Sequence, residues 1–265
     1  MDSAMPSVAP IEPAVRRLRL SRNRALVNDL VHFSQRVPRF AVDKLVQFGD
    51  VAALRDQAGR QISWSVLFLK AYALAAADCR PLRQALLGWP WAHLIEMPHS
   101  VGMLAINRRD EERDEERLCW GRFIRPEQQS LVELQQALLR YRREPIEKVF
   151  RRQVLLSKMP TLLRRLLWWI NLNFVVKHRA RRLGTFGIST LASQGAWNRS
   201  HPSILTTSLT YGPLDERGQM LVTLICDHRV LDGALAAHAI GQLEAAFRGP
   251  ISRELAALTT GRAAA

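Results

Sequence analysis

Met220-Leu221-Val222-Thr223-Leu224-Ile225-Cys226-Asp227-His228-Arg229-Val230-Leu231-Asp232-Gly233 is the stretch whose reading decides the fold. Met220 to Cys226 is a short apolar run, the pattern of a strand buried on both faces. It delivers His228 at its end. Gly233 lets the chain turn sharply into a helix predicted from Leu235 to Phe247, and Gly249-Pro250 is expected to stop that helix.

A histidine held at a strand end is fixed by the scaffold while its ring faces a cleft. Imidazole titrates near neutrality, so the neutral ring takes a proton from a thiol or alcohol and returns it to a leaving thiolate. Asp232, four residues on, suits a structural ion pair that holds the turn better than it suits proton transfer. The bland alternative, a satisfied core histidine, is outweighed by the strand before His228 and the helix after it.

Outward from this stretch, Gly184 to Leu191 and the threonine-rich Leu205 to Tyr211 read as strands. Leu26, Val27, Leu30, Val31 and Phe33 recur at helical spacing, Ser21 caps the start of that helix and Pro38 stops it. Phe40 to Phe48 alternates as a strand, Asp50 to Ala58 is a short helix, and Ser63 to Cys79 is an alanine-rich buried helix. His99 to Ile106 reads as a core strand and Pro126 to Arg143 as an amphipathic helix. Arg108 to Arg117, with charges of both signs, is expected to be a solvated loop. No internal repeat or phosphate-binding glycine loop is present in the sequence.

Residues Met220 to Pro250 resemble the C-terminal end of the catalytic domain of dihydrolipoyl acyltransferases, the core components of 2-oxo acid dehydrogenase complexes. Chloramphenicol acetyltransferase shares that fold and motif. Gly184-Thr185-Phe186-Gly187-Ile188-Ser189-Thr190-Leu191 is similar to the family's Gly-Thr-Phe-Thr-Ile-Ser-Asn-Leu strand. Ser21 to Arg24, Val37 to Phe40, and the helix around Lys70 resemble the family's opening elements. The likeness covers most of Val15 to Pro250 and is weak between Arg108 and Arg182.

The resemblance implies an α/β (α+β) fold, a chloramphenicol acetyltransferase-like mixed sheet flanked by helices, assembled as a homotrimer with the active site between subunits. It implies His228 as general base and Ser189 as oxyanion donor, with Asp232 pairing with Arg24 to lock the turn at Gly233. It implies a coenzyme A or phosphopantetheine thioester as co-substrate, with no tightly bound cofactor and no metal. The expected activity is acyl transfer to a hydroxyl, amine or thiol acceptor, in lipid or secondary-metabolite biosynthesis. The competing expectation is a non-catalytic trimeric scaffold that binds a membrane surface or an acidic partner.

The sequence departs from the family in three places. It shows no lipoyl domain or subunit-binding domain, so a stand-alone enzyme taking a diffusible or carrier-bound thioester is expected. His201-Pro202-Ser203 stands where the family carries Asn-Pro-Pro, which implies a changed choice of acyl group or acceptor. Finally, residues 145–182 form a divergent basic and apolar segment. Its uninterrupted apolar run is too short to span a bilayer, which takes about 20 residues. Arg164, Arg165, Trp168 and Trp169 are the candidates there for contact with a membrane or partner. A buried helix, a lid over an acyl chain, an interfacial helix on anionic lipid and a dock for acyl carrier protein all fit the pattern.

The 265 residues carry 38 Lys and Arg against 24 Asp and Glu, a net charge of +14. From Arg140 to Arg182 there are 13 basic residues against Glu144 and Glu147, so that segment supplies +11 of it. A uniformly basic nucleic-acid coat is not needed, and no nucleic-acid partner is expected. Cys79, Cys119 and Cys226 form no CxxC pair and read as reduced thiols of a reducing compartment. The location expected is cytoplasmic, or peripheral to the inner face of the membrane. One catalytic domain is expected over residues 15–255, after a disordered lead-in (1–14) and before a C-terminal tail (256–265).

Overall fold

The computed structural model describes residues 15–18, 20–58, 62–110 and 115–263, so the lead-in expected over 1–14 lies outside the described residues. The elements run α1 (Arg22–Ser34), β1 (Arg39–Gln47), α2 (Gly49–Gln57), α3 (Trp64–Asp78), β2 (Gln84–Leu87), β3 (His93–Glu96), β4 (Val101–Asp110), β5 (Glu115–Ile124) and α4 (Leu131–Arg143). Then come α5 (Ile146–Val149), α6 (Arg151–Ser157), α7 (Thr161–Asn173), α8 (Arg179–Leu183), β6 (Phe186–Ile188), β7 (Thr207–Tyr211), β8 (Gln219–Asp227), α9 (Gly233–Ala246) and α10 (Ser252–Ala263).

Six strands form one mixed sheet in the order β1-β8-β7-β6-β4-β5, and β2 and β3 form a separate hairpin. The β7–β6 and β6–β4 pairs are parallel and the other pairs antiparallel. Helices flank this sheet, as expected. Every residue of α3 from Ser65 to Ala76 except Leu74 is buried, and its alanines let it pack closely on all sides. Phe68 stacks on Tyr211 at 4.1 Å and Tyr72 on Phe186 at 4.2 Å, tying α3 to β7 and β6. Ser21 caps α1, accepting from the Arg24 amide at 3.2 Å. Ser130 and Glu133 form a capping box at the start of α4.

The structure corrects three expectations. Arg108 to Arg117 is not a solvated loop, because β4 continues to Asp110 and β5 resumes at Glu115. Its charges find partners: Asp110 and Arg117 are both nearly buried and pair at 3.3 Å, and Arg108 donates to the Glu144 carbonyl at 3.1 Å. Gly249-Pro250 does not stop the last helix. The chain passes through a wide π turn (Phe247–Ile251) into α10, and Ser252 Oγ donates to the Phe247 carbonyl at 2.7 Å. The stretch read as a tail from residue 256 is helical as far as Ala263. Leu255 is fully buried, and Glu254 pairs with Lys70 and accepts from the Leu131 amide at 2.6 Å.

Candidate active site

β8 ends at Asp227, and His228 follows with its amide donating to the Pro38 carbonyl at 2.9 Å. This bond carries the β1–β8 ladder one step past the strand and holds the histidine backbone. The ring lies 4.6 Å from Phe40, centroid to centroid. Its Nδ1 is 3.2 Å from the Leu231 carbonyl. A carbonyl only accepts, so this contact assigns the proton to Nδ1 and leaves the Nε2 lone pair free. That tautomer is the one a general base requires. In the single chain His228 is exposed.

The expected ion pair between Asp232 and Arg24 is not formed within the chain. Asp232 instead caps α9, its Oδ1 accepting from the Leu235 amide at 2.8 Å. Asn23 donates to the Glu116 carbonyl at 3.2 Å, which seats the Arg24 end of α1 on β5, four places across the sheet from β8. Both Arg24 and Asp232 are exposed. The carboxylate buried beside His228 is Asp227, which holds Arg229 through two contacts, at 2.9 and 2.7 Å. Sequence reasoning missed it, although β8 alternation already puts Thr223, Ile225 and Asp227 on one face. Arg179, from α8, is near both residues; burial and then the like charge of Arg229 push its pKa down to about 10. Gly233 is the first residue of α9, and a Cβ there would meet open space, so no close approach within the chain requires the glycine.

Ser189 follows β6 directly, its amide donating to the Leu209 carbonyl at 3.1 Å. The registers pair Ile188 with Leu209 and Leu209 with Leu224. Ser189 is thus level with Thr223, five residues short of His228 and two strands away. At about 3.3 Å per residue this is roughly 16 Å along the strands alone. Within one chain Ser189 is level with the middle of β8 and His228 lies just past its end, which puts them beyond the reach of a shared substrate atom.

The segment from Leu191 to Thr206 covers the sheet face that carries Thr223 and Asp227, and holds a polar network. His201 Nε2 and Ser208 Oγ are 2.5 Å apart, Asn198 Nδ2 is 3.4 Å from His201 Nδ1, and Thr210 Oγ1 donates to Asn198 Oδ1 at 2.8 Å. Burial, and then the nearby Arg39, push the His201 pKa down to about 4, so its ring is neutral. Ser208 is 2 % exposed, and a Cβ on Gly187 would sit 2.8 Å from its hydroxyl. This serine–histidine pair is closed to substrate and acts as a structural clasp. His201 stood out in the sequence only as a departure from the Asn-Pro-Pro pattern.

The structure divides the four candidates of the divergent segment. Arg164 is buried and pairs with the fully buried Asp29. Arg165 reaches the same carboxylate at 3.2 Å. Trp168 stacks on Phe33 of α1 at 5.9 Å. Arg164 and Trp168 are therefore anchors of α7 rather than surface contacts, while Trp169 is exposed.

A scan against protein-family models finds no match, and a search of curated protein sequences finds none. Solved structures do match. A probable dihydrolipoamide acetyltransferase from Listeria monocytogenes aligns at TM-score 0.64 and 16% identity, over 88% of this chain and 94% of that one. The Azotobacter vinelandii dihydrolipoamide acetyltransferase aligns at TM-score 0.64 and 15% identity, over 92% and 98%. In that enzyme a serine, a histidine and an asparagine are the residues studied for their catalytic role. A truncated catalytic core of the 2-oxoacid dehydrogenase complex from Thermoplasma acidophilum aligns at TM-score 0.62 and 17% identity, over 90% and 99%. The chain therefore has the fold of dihydrolipoamide acetyltransferase catalytic cores.

Proposed function

We propose that the chain is an acyltransferase whose active site is shared between two copies. The observation that carries this reading is the His228 ring, exposed at the end of β8 with Nδ1 turned to the Leu231 carbonyl and Nε2 free. Nε2 takes the proton of an acceptor hydroxyl, amine or thiol as the acceptor attacks a thioester carbonyl. The Ser189 hydroxyl of a neighbouring copy donates to the oxyanion of the tetrahedral intermediate. Such a donor is typically worth about 3 kcal/mol of barrier. Collapse breaks the carbon–sulfur bond, and the imidazolium returns its proton to the departing thiolate. Coenzyme A or a phosphopantetheine arm is the thiol that leaves.

Because Ser189 and His228 are too far apart within one chain, a head-to-tail contact is needed to bring one copy's serine to the next copy's histidine. Such a contact closes into a ring when the rotation allows, and a homotrimer is the ring the resemblance implies. Asp232 supports the site by capping α9, and Asp227 by holding Arg229 beside the histidine. Arg24 has no place in this site within one chain.

The test is complementation. Purified Ser189→Ala and His228→Ala proteins are each assayed for thiol release from acyl-coenzyme A with a panel of small acceptors, then mixed under conditions that let subunits exchange. Each alone is expected to be nearly inactive, and the mixture to regain activity, because mixed contacts hold one intact pair. No thiol release by the unaltered protein, or equal release by His228→Ala, defeats acyl transfer; activity in the unaltered protein without rescue in the mixture defeats the shared site.

A further inference from the structure

Helix α7 is inverted relative to a helix that faces water. Its charges point inward: Arg164 is 3 % exposed and pairs with Asp29, which is 0 % exposed, and Arg165 reaches that same carboxylate. Apolar residues line its outward face, while Trp168 packs inward on Phe33. Leu162, Leu166 and Trp169 follow one another at the four- and three-residue steps of one helix face, and are 85 %, 50 % and 39 % exposed. The stripe continues beyond the helix. Trp169 touches Phe174 at 5.1 Å, and Phe174 touches Trp89 of the β2–β3 hairpin at 4.8 Å. Trp89 and Trp91, at that hairpin's tip, are 51 % and 72 % exposed. Two segments distant in sequence thus place their exposed aromatic residues together.

The surrounding charge is of one sign. Between residues 145 and 182 there are ten Lys and Arg, and Glu147 is the lone acid. Arg122 of β5 sits beside Arg152 and Arg181, donating to the Arg181 carbonyl at 2.7 Å. Burial and these like charges hold its guanidinium below the usual arginine range. Among the described residues none of these three arginines forms an ion pair. Cations crowded in this way call for an anion from outside the chain. An identical basic patch on a second copy repels it.

We propose that α6 to α8 and the tip of the β2–β3 hairpin form a seat for an anionic lipid surface. The Leu162–Leu166–Trp169 face and Trp89 and Trp91 enter the boundary between headgroups and acyl chains, and the flanking arginines meet lipid phosphates. The contact is peripheral, since among the described residues no helix is long and apolar enough to cross a membrane.

The test is sedimentation of the full chain with vesicles of phosphatidylcholine containing phosphatidylglycerol, against phosphatidylcholine alone. Binding to the anionic vesicles is expected, with quenching of tryptophan fluorescence by lipids brominated along the acyl chain. A triple variant, Leu162→Ser, Leu166→Ser and Trp169→Ser, keeps every charge and is expected to bind roughly ten-fold more weakly. Its circular dichroism should match the parent's, because all three side chains are exposed. Absence of binding by the parent overturns the proposal, as does preferential capture of an acidic carrier protein in place of vesicles. Unchanged binding by the triple variant overturns it too, reducing the effect to diffuse attraction by a chain of net charge +14. Loss of oligomeric state in that variant without lipid overturns it by showing a seat between copies. His228→Ala is expected to bind vesicles as the parent does, so failure of the acyl-transfer reading leaves this one standing.

Discussion

The turn at His228 and helix α7 are both built around a charged or titratable side chain held at a fixed place, yet they are built at different ranges. At the turn the partners are neighbours in sequence: Leu231 is three residues from His228, and Arg229 two from Asp227. In α7 the partner is Asp29, 135 residues before Arg164. At the short-range site the histidine follows β8 as its pattern predicts, although Asp232 caps α9 instead of forming the expected ion pair. The long-range site reverses its pattern, because a buried carboxylate outweighs the tendency of arginines to face water. Removing Asp29 strands a guanidinium in the interior, whereas an exposed leucine keeps only its contact with solvent.

The largest expected effect tests the short-range site. His228→Ala should lower thiol release by about 10²- to 10⁴-fold, with the thermal unfolding midpoint unchanged, as read by steady-state assay and circular dichroism. The next tests the long-range site. Asp29→Ala should cost about 3–5 kcal/mol in denaturant unfolding and loosen α7 to protease, because Arg164 loses its buried partner. If the cost is under about 1 kcal/mol, α7 is held by its apolar contacts and the contrast fails.

A third prediction follows from His201, whose pKa is lowered from 6.5 to about 4. The unfolded chain takes up a proton in this window that the native ring refuses. Stability is therefore complete above pH 6.5 and falls as pH drops toward 4, by up to about 1.4 kcal/mol per unit for this group. His201→Gln should flatten that part of the profile; an identical slope in the variant removes His201 as its cause. The smallest effect is at Gly187→Ala, where the new methyl meets the Ser208 hydroxyl at 2.8 Å. A loss of about 1–3 kcal/mol is expected from calorimetry, since the clasp with His201 holds that hydroxyl in place.

Much of the fold was legible because its strands and helices carry local periodicities. The alternation of Phe40, Val42 and Val46 marked β1, and the alanines between Val66 and Ala76 marked α3. The charged hairpin between Arg108 and Arg117 was not legible, since its charges find partners across the strands and at the end of α4, among them Asp110–Arg117 and the Glu144 carbonyl. α10 was missed because Gly249-Pro250 is a local stop signal that a π turn overrides, with Lys70 and the start of α4 holding the helix through Glu254. At the candidate site, the residue types at His228 and Ser189 were legible. Asp227 and the His201 clasp were not, since a carboxylate or imidazole acquires such a role only from what packs over it.

The sequence by itself determined that a histidine ends an apolar strand, that a serine ends another, and that a basic, apolar segment precedes both in the chain. Only the tertiary structure decided that the serine sits at mid-sheet while the histidine lies past one end of it, and that α7 turns Leu162 and Leu166 outward. The reason is physical: periodicity records which side of an element meets the core, but register between strands and the burial of a distant carboxylate are set by contacts that no local pattern contains.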